Sequence, residues 1–310
     1  MESKKETGKV KREGKKTRGV SSGIVILFCA VVSILMYMYW LGDINNFMGA
    51  EEYKAKVEQI KSSGGSQESI KAQLSELKEA SYPPTKNHPE PGNFKGTVYK
   101  GGFNVAIVIT LMLTVIVLSV ERMIALTIAK GKGNLINFVY DVKKDLKAGN
   151  LKGAEALCAK QKGSVAAIVD AGLQKYKEME DTSEKLSIEE KVAIIKEELE
   201  EATALELPVL QQNLPVIATI STLGTLFGLL GTVLGMIRSF GALASEGSPD
   251  SVALSAGISE ALVNTALGIA TGALAIIMYA FFTGKIDNMT YAIDEMGFAL
   301  TQTYAETHTK

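Results

Sequence analysis

LPVIATISTLGTLFGLLGTVLGMI, at positions 214–237, is the stretch whose reading decides the fold. It holds no Asp, Glu, Lys or Arg. At 1.5 Å rise per residue a helix of this length reaches past a hydrocarbon core of about 30 Å. What interrupts its apolar character is glycine and hydroxyl, in a pattern: Gly224, Gly228, Gly231 and Gly235 fall on one side of a helix, and Thr222, Thr225 and Thr232 on a neighbouring stripe. Lipid tails give helices no hydrophobic reason to associate, so small faces that allow close approach mark helix packing rather than a lipid-facing anchor.

Twenty residues on, GISEALVNTALG at 257–268 opens a second run of this kind, reaching to about 284. It carries Gly257, Ala261, Gly268 and Gly272, with Glu260, Asn264, Thr265 and Thr271 near or within the apolar zone. An ionisable side chain in a span is costly and marks an ion pathway or a buried partner. The other reading of Glu260 is a solvated interfacial carboxylate, since it lies about one turn into the run. Asn264, at i+4, shares its face, which favours a shared polar lining. Thr232 and Thr265 taken singly prove little, because threonines often satisfy their hydroxyls on the carbonyl one turn back.

Two further charge-poor stretches, 23–41 and 103–120, make four spans in a chain of 310 residues. Composition agrees: 22% charged and 46% apolar residues, with positive mean hydropathy, exclude an ordinary soluble domain. The start imitates a secretory signal, with eight Lys/Arg before an apolar run. The run is too long, ends in Tyr37-Met38-Tyr39-Trp40 and lacks a small-x-small site, so it reads as an uncleaved anchor with an aromatic belt. The basic start places the N-terminus in the cytoplasm, and four crossings return the C-terminus there. Arg122, Lys130 and Lys132 after the second span and Lys285 after the fourth agree, as does the 241–256 loop, with Glu246 and Asp250 but no Lys or Arg.

The outer segment has helical apolar spacing at Val57 and Ile60, and again at Ile70, Leu74 and Leu77, around a Ser/Gly break. Pro83, Pro84, Pro89 and Pro91 follow. This predicts a helical hairpin and a stiff strap, either a docking site for an extracytoplasmic partner or a solvated connector. The polar block 121–211 is helical in composition, with Leu135, Phe138, Val139 and Val142 on one helix and a long helix from 188 leading to the third span. Cys29 and Cys158 suggest no disulfide framework, and no metal-ligand spacing occurs. His88 and His308 read as solvated. Neither a phosphate-binding loop nor a nucleophile arrangement is present, so the expectation is a protein that is no enzyme, takes no cofactor and binds no nucleic acid.

These runs also resemble a known family. The stretch from Leu214 through Gly228-Leu229-Leu230-Gly231-Thr232-Val233-Leu234-Gly235 to Phe240 is similar to the first pore-lining helix of the MotA/TolQ/ExbB proton channels. Gly257-Ile258-Ser259-Glu260-Ala261-Leu262-Val263-Asn264-Thr265-Ala266-Leu267-Gly268 resembles the second, and Glu121-Arg122 resembles the Glu-Arg at the cytoplasmic end of the family's first helix. The resemblance covers about residue 103 to the C-terminus, and Glu260 in its motif favours the ExbB/TolQ-like branch.

That resemblance implies an all-α homopentamer in the bacterial inner membrane, with a pore held by the last two spans of each copy. The pore would surround an ExbD/TolR-like single-span partner that supplies the titrating Asp. A TonB-like or TolA-like force transducer would receive the work. Thr232, Thr265, Glu260, Asn264 and Thr225 would line the proton pathway. Gly224, Gly228, Gly231, Gly235, Gly268 and Gly272 would pack the helices, and Glu121 and Arg122 would lie at the cytoplasmic interface. The expected division is a basic cytoplasmic tail (1–21), an extra transmembrane helix (22–42), a periplasmic helical hairpin with a Pro-rich linker (43–102) and a transmembrane helix (103–126). A cytoplasmic helical domain (127–213), a pore-lining span (214–240), a periplasmic loop (241–256), a second pore-lining span (257–284) and a cytoplasmic C-terminal helix (285–310) complete it.

Two departures stand out. Family members of this branch have three spans, so the first span and the outer segment are additions, expected to pack outside the pore helices. Where many members have a Pro after the second motif, this chain reads Ala270-Thr271-Gly272, so the kink such a Pro causes is not expected on sequence grounds. A MotA-like or gliding-type stator subunit, or a membrane scaffold without proton flux, are the alternatives.

Overall fold

The computed structural model describes residues 21–47, 49–62, 67–79, 89, 92–183, 186–244 and 251–308. The basic tail, Pro83, Pro84, Pro91, His88, Glu246 and Asp250 lie outside these. The described residues fold as an all-α integral membrane protein, with no strand among them and four helices long and apolar enough to cross a membrane.

The first crossing is α1 (Ser22–Leu35), which widens into a π-helical turn at Met36–Leu41. One side of α1, with Ile24, Leu27, Phe28 and Val31, is exposed as befits a lipid face, while Val25, Cys29 and Ser33 are buried. Ser33 Oγ donates to the Ala106 carbonyl at 2.5 Å, tying α1 to the next span. The insertion that follows holds α2 (Ala50–Ser62) and α3 (Gln67–Glu79), then the short α4 (Phe94–Tyr99), whose N-cap Asn93 accepts from the amides of Lys95 and Gly96.

The second crossing, α5 (Phe103–Lys130), ends at Gly131, where φ is +80°. Four helices then form a bundle: α6 (Leu135–Lys147), α7 (Leu151–Gln161), α8 (Gly163–Asp181) and α9 (Ile188–Leu210). The buried side of α6 is Leu135, Phe138, Val139, Val142 and Leu146, at helical spacing. A capping box starts α9, with Ser187 and Glu190 each satisfying the other's amide. Within this bundle the thiol of Cys158 is pushed up to about 12 by burial, with Asp170 and Glu155 adding to it.

Pro208 stands in the last turn of α9, and three residues separate the end of α9 from α10 (Leu214–Leu243), whose Pro215 occupies the first turn, where its missing N–H leaves no hydrogen bond unmade. The last element, α11 (Ser251–His308), is one helix of 58 residues. The span expected over 257–284 and the C-terminal helix expected over 285–310 are continuous in it. The helix continues because Ile286, Met289, Ile293, Met296, Leu300 and Tyr304 keep an apolar stripe that buries against the bundle. His308 is correspondingly part of α11, its ring stacked on Tyr304 at 4.2 Å.

Two cores result. The larger runs from Val25 and Cys29 through Val115 and Leu118 into the bundle. The smaller, Leu41, Val98, Val105 and Ile109 with Tyr37, Tyr99, Val263 and Leu267 against them, lies where α5 begins.

Candidate functional site

The contact between α10 and α11 is glycine on glycine. A Cβ at Gly228 would stand 2.9 Å from the Cα of Gly268, and one at Gly268 would stand 2.6 Å from the Cα of Gly228. Gly235 lies as tightly on the Gly257 carbonyl and Ala261, Gly231 on Asn264, Gly224 on Thr271, and Gly272 on Thr225 and Ser221. All six glycines expected to pack the helices are therefore in this seam. The stripe that makes it is the one visible in the sequence, since side chains at i, i+4 and i+7 share a face.

Along the seam the hydroxyls of Thr232 and Thr265 touch. Each also lies within reach of the carbonyl one turn back: Thr232 Oγ1 of Gly228 at 3.3 Å, Thr265 Oγ1 of Ala261 at 3.1 Å. Two O–H donors face three contacts, so one contact is always short of a proton, and the two hydroxyls can exchange which of them donates to the other. Thr225, two turns from Thr232 on the same stripe, is exposed and donates to Ser221.

Glu260 and Asn264 are placed differently. They share a face, as i and i+4 must, but that face turns toward the start of α5. Asn264 is fully buried: its Nδ2 donates to the carbonyls of Gly101 at 2.6 Å and Glu260 at 2.9 Å, while its Oδ1 accepts from Asn104 Nδ2 at 3.1 Å. Asn104 also donates to the Phe227 carbonyl at 2.8 Å, so the polar chain links α5, α10 and α11. Glu260, 8% exposed, accepts from Arg238 Nη1 at 2.5 Å on both carboxylate oxygens. The single polar lining expected from sequence is thus split within the subunit: Thr225, Thr232 and Thr265 along the seam, Glu260 and Asn264 inside. At 100° per residue, Glu260 and Thr265 point about 140° apart around α11.

The Glu121-Arg122 pair forms a second buried polar knot. Arg122, 1% exposed, donates through Nε to Glu121 at 2.6 Å and through Nη1 to the Val209 carbonyl at 3.3 Å; its Nη2 also contacts Glu121. Asn213 Nδ2 donates to Glu121 at 3.2 Å from a left-handed backbone, φ +64°. The knot fastens α5 to the joint between α9 and α10.

Arg238, Asn104, Asn213 and the Gly101-Gly102 turn were not singled out in the sequence. Asn104 offered a signal, as an amide in the first turn of an apolar run. Arg238 offered a weaker one, as a cation just past the end of a span.

A helical hairpin closed glycine to glycine, with a hydroxyl pair in its seam and a buried carboxylate at one end, defines a multi-pass membrane protein built around its last two spans. Residues 156–295 match the MotA/TolQ/ExbB proton channel family. A Synechocystis ExbB-like biopolymer transport protein is 43% identical over 84 residues, 26% of this chain and 40% of that protein. The biopolymer transport protein ExbB of Pseudomonas putida is 31% identical over 140 residues, 45% of this chain and 42% of its own. The Tol-Pal system protein TolQ of Pseudomonas aeruginosa is 36% identical over 76 residues, 24% of this chain and 33% of its own. Over the matched segment the chain is similar to the ExbB/TolQ-like branch of that family. The chain spans less than half the length of each of these three relatives.

Proposed function

We propose that the chain is the pore-forming subunit of a complex like ExbB–ExbD or TolQ–TolR, coupling proton flux across the inner membrane to mechanical work that energises outer-membrane transport. The contact between Thr232 and Thr265, set in a glycine seam inside a membrane, is the observation that carries this reading. A hydroxyl pair with one proton too few for its contacts can accept from or donate to a carboxyl group, which allows that group to change protonation without losing its hydrogen bond.

In this assembly copies of the chain, five in the family's pattern, surround the single helix of an ExbD/TolR-like partner, whose Asp titrates beside the threonines; a TonB-like or TolA-like transducer takes up the motion. Both termini and the α6–α9 bundle face the cytoplasm, and α2 and α3 face the periplasm. Glu121 and Arg122 then lie at the cytoplasmic interface, bracing α5 against α9 and α10. No catalytic step or cofactor enters.

Proton flux into vesicles holding the full chain and its single-span partner tests this. Thr232→Val and Thr265→Val, which keep shape and remove the hydroxyl, are expected to lower flux about tenfold or more. Undiminished flux in both variants, or none in the wild type, rejects the proton-channel role and leaves a membrane scaffold.

A further inference from the structure

Glu260 cannot do its work alone. A carboxylate at the edge of a span is costly unless something answers its charge, and the answer here is on the neighbouring helix. One nitrogen of Arg238, Nη1, reaches both carboxylate oxygens at 2.5 Å. Behind the carboxylate stands Gly102, whose backbone has φ +70°; a Cβ there would meet Glu260 Oε1 at 2.6 Å and Arg238 Nη1 at 3.5 Å. Only a residue without a side chain leaves the carboxylate this room.

The turn of α11 that carries Glu260 is held as well. Asn264, one turn on, bonds the carbonyls of Gly101 and Glu260, and Asn104 bridges Asn264 to Phe227. The backbone that carries Glu260 therefore cannot shift without breaking a buried polar chain, and the carboxylate itself is left to Arg238 to hold. The pair has an exposed end and a buried one: the Arg238 side chain is 62% exposed and that of Glu260 is 11% exposed. Tyr37, from the π-helical end of the first crossing, is a titratable group near enough to feel the charges of both, while the start of α5 contributes the uncharged Gly102 and Asn104. Along α10, Arg238 stands six residues beyond Thr232; along α11, Glu260 stands five before Thr265. The ion pair thus sits about 8 Å along the axis from the hydroxyl pair.

We propose that Arg238 is a positioning residue of the proton pathway, fixing the Glu260 carboxylate against the Gly101-Gly102 turn as a stationary charge, while the Thr232–Thr265 pair makes the changing contacts. This rests on the pathway reading above.

The test uses the full chain twice. In vesicles with its single-span partner, Arg238→Gln is expected to lower proton flux about tenfold or more, and Glu260→Gln to do the same; the double variant is no worse than either. Because only one nitrogen of Arg238 is engaged, Arg238→Lys restores flux to within about threefold of wild type, which a merely space-filling role does not predict. In detergent, thermal melting of wild type, both single variants and the double variant closes a cycle, and the two losses are expected to be strongly non-additive. Wild-type flux in Arg238→Gln, failure of Arg238→Lys to rescue, or additive melting losses overturn Arg238's role alone. A wild-type complex that passes no protons overturns the pathway reading, and Arg238's part in it falls with that reading.

Discussion

Asp170 shows how a single residue is held at a cost. It lies partly buried on α8, and burial first, then the nearby Glu155, raise its carboxyl above the ordinary carboxylate range, against a lowering hydrogen bond from Gln174. A carboxyl whose folded-state value is raised favours the fold when protonated, and loses that contribution as pH climbs from the unfolded value through the folded one. At neutral pH the ionised Asp170 therefore opposes folding. Asp170→Asn, which keeps an acceptor for Gln174, is expected to raise the melting temperature at pH 7, and the advantage should shrink as the buffer approaches about pH 3. A variant that melts below wild type at pH 7 contradicts this account. Single residues also mark how far the sequence could be read. Glu260 stood out because it is the carboxylate within a charge-poor run. Its partner did not: Arg238 lies 22 residues away across a turn, and no spacing rule joins two helices that have yet to be placed side by side.

Elements were legible where one physical pattern governs them. Span length and charge exclusion located α1, α5, α10 and α11, and small-residue periodicity identified the α10–α11 seam down to the glycines that touch. The direction in which each face of α11 turns was not legible. Glu260, Asn264 and Thr265 lie within six positions, and periodicity alone separates their faces without saying which neighbour each one meets; Asn264 bonds the Gly101 carbonyl and Asn104 where α5 begins, whereas Glu260 and Thr265 meet Arg238 and Thr232 on α10. The continuity of the last helix was not legible either: the span expected to end at Gly284 and the helix expected from Lys285 are one element, because burial of the stripe from Ile286 to Tyr304 carries the helix on. The seam makes a sharp prediction. At Gly228 the first atom met by a side chain is backbone of α11, which has no rotamer to move aside, so Gly228→Leu should force the helices apart and cost about 2 kcal/mol or more. At Gly284 nothing lies within 4 Å of an added Cβ, so Gly284→Ala is expected to be neutral or stabilising by up to about 1 kcal/mol. Melting in detergent distinguishes them, and equal behaviour of the two variants counts against close packing as the reason for the stripe.

At the scale of the whole molecule, the additions at the N-terminus do not stand apart from the hairpin they precede. Tyr37 stacks on Tyr99 at 4.7 Å, Tyr99 packs with Phe47 at 5.5 Å, and both core clusters include residues of the first crossing. The segment beginning at α4 then turns through Gly101 and Gly102 directly onto Asn264 and Glu260. An added helix that only widened the lipid-facing rim would not contribute the surroundings of Glu260; this one does, through the chain that leads from it into α5. Its sidedness is consequently the sidedness of the site. If the basic start lies in the cytoplasm, the chain crosses outward along α1, returns along α5, and leaves α2 and α3 on one face of the membrane with the end of α11 on the other. Glu58 on α2 and Asp294 on α11 are both exposed, and Cys29 and Cys158 are buried and so add little background labelling. With a membrane-impermeant maleimide, Glu58→Cys is expected to label in intact spheroplasts, whereas Asp294→Cys should label only after lysis. Labelling of Asp294→Cys from outside with Glu58→Cys reached only after lysis would reverse the topology and place Arg238 and Glu260 at the cytoplasmic mouth of the hairpin, and labelling of both from one side would contradict the four crossings themselves.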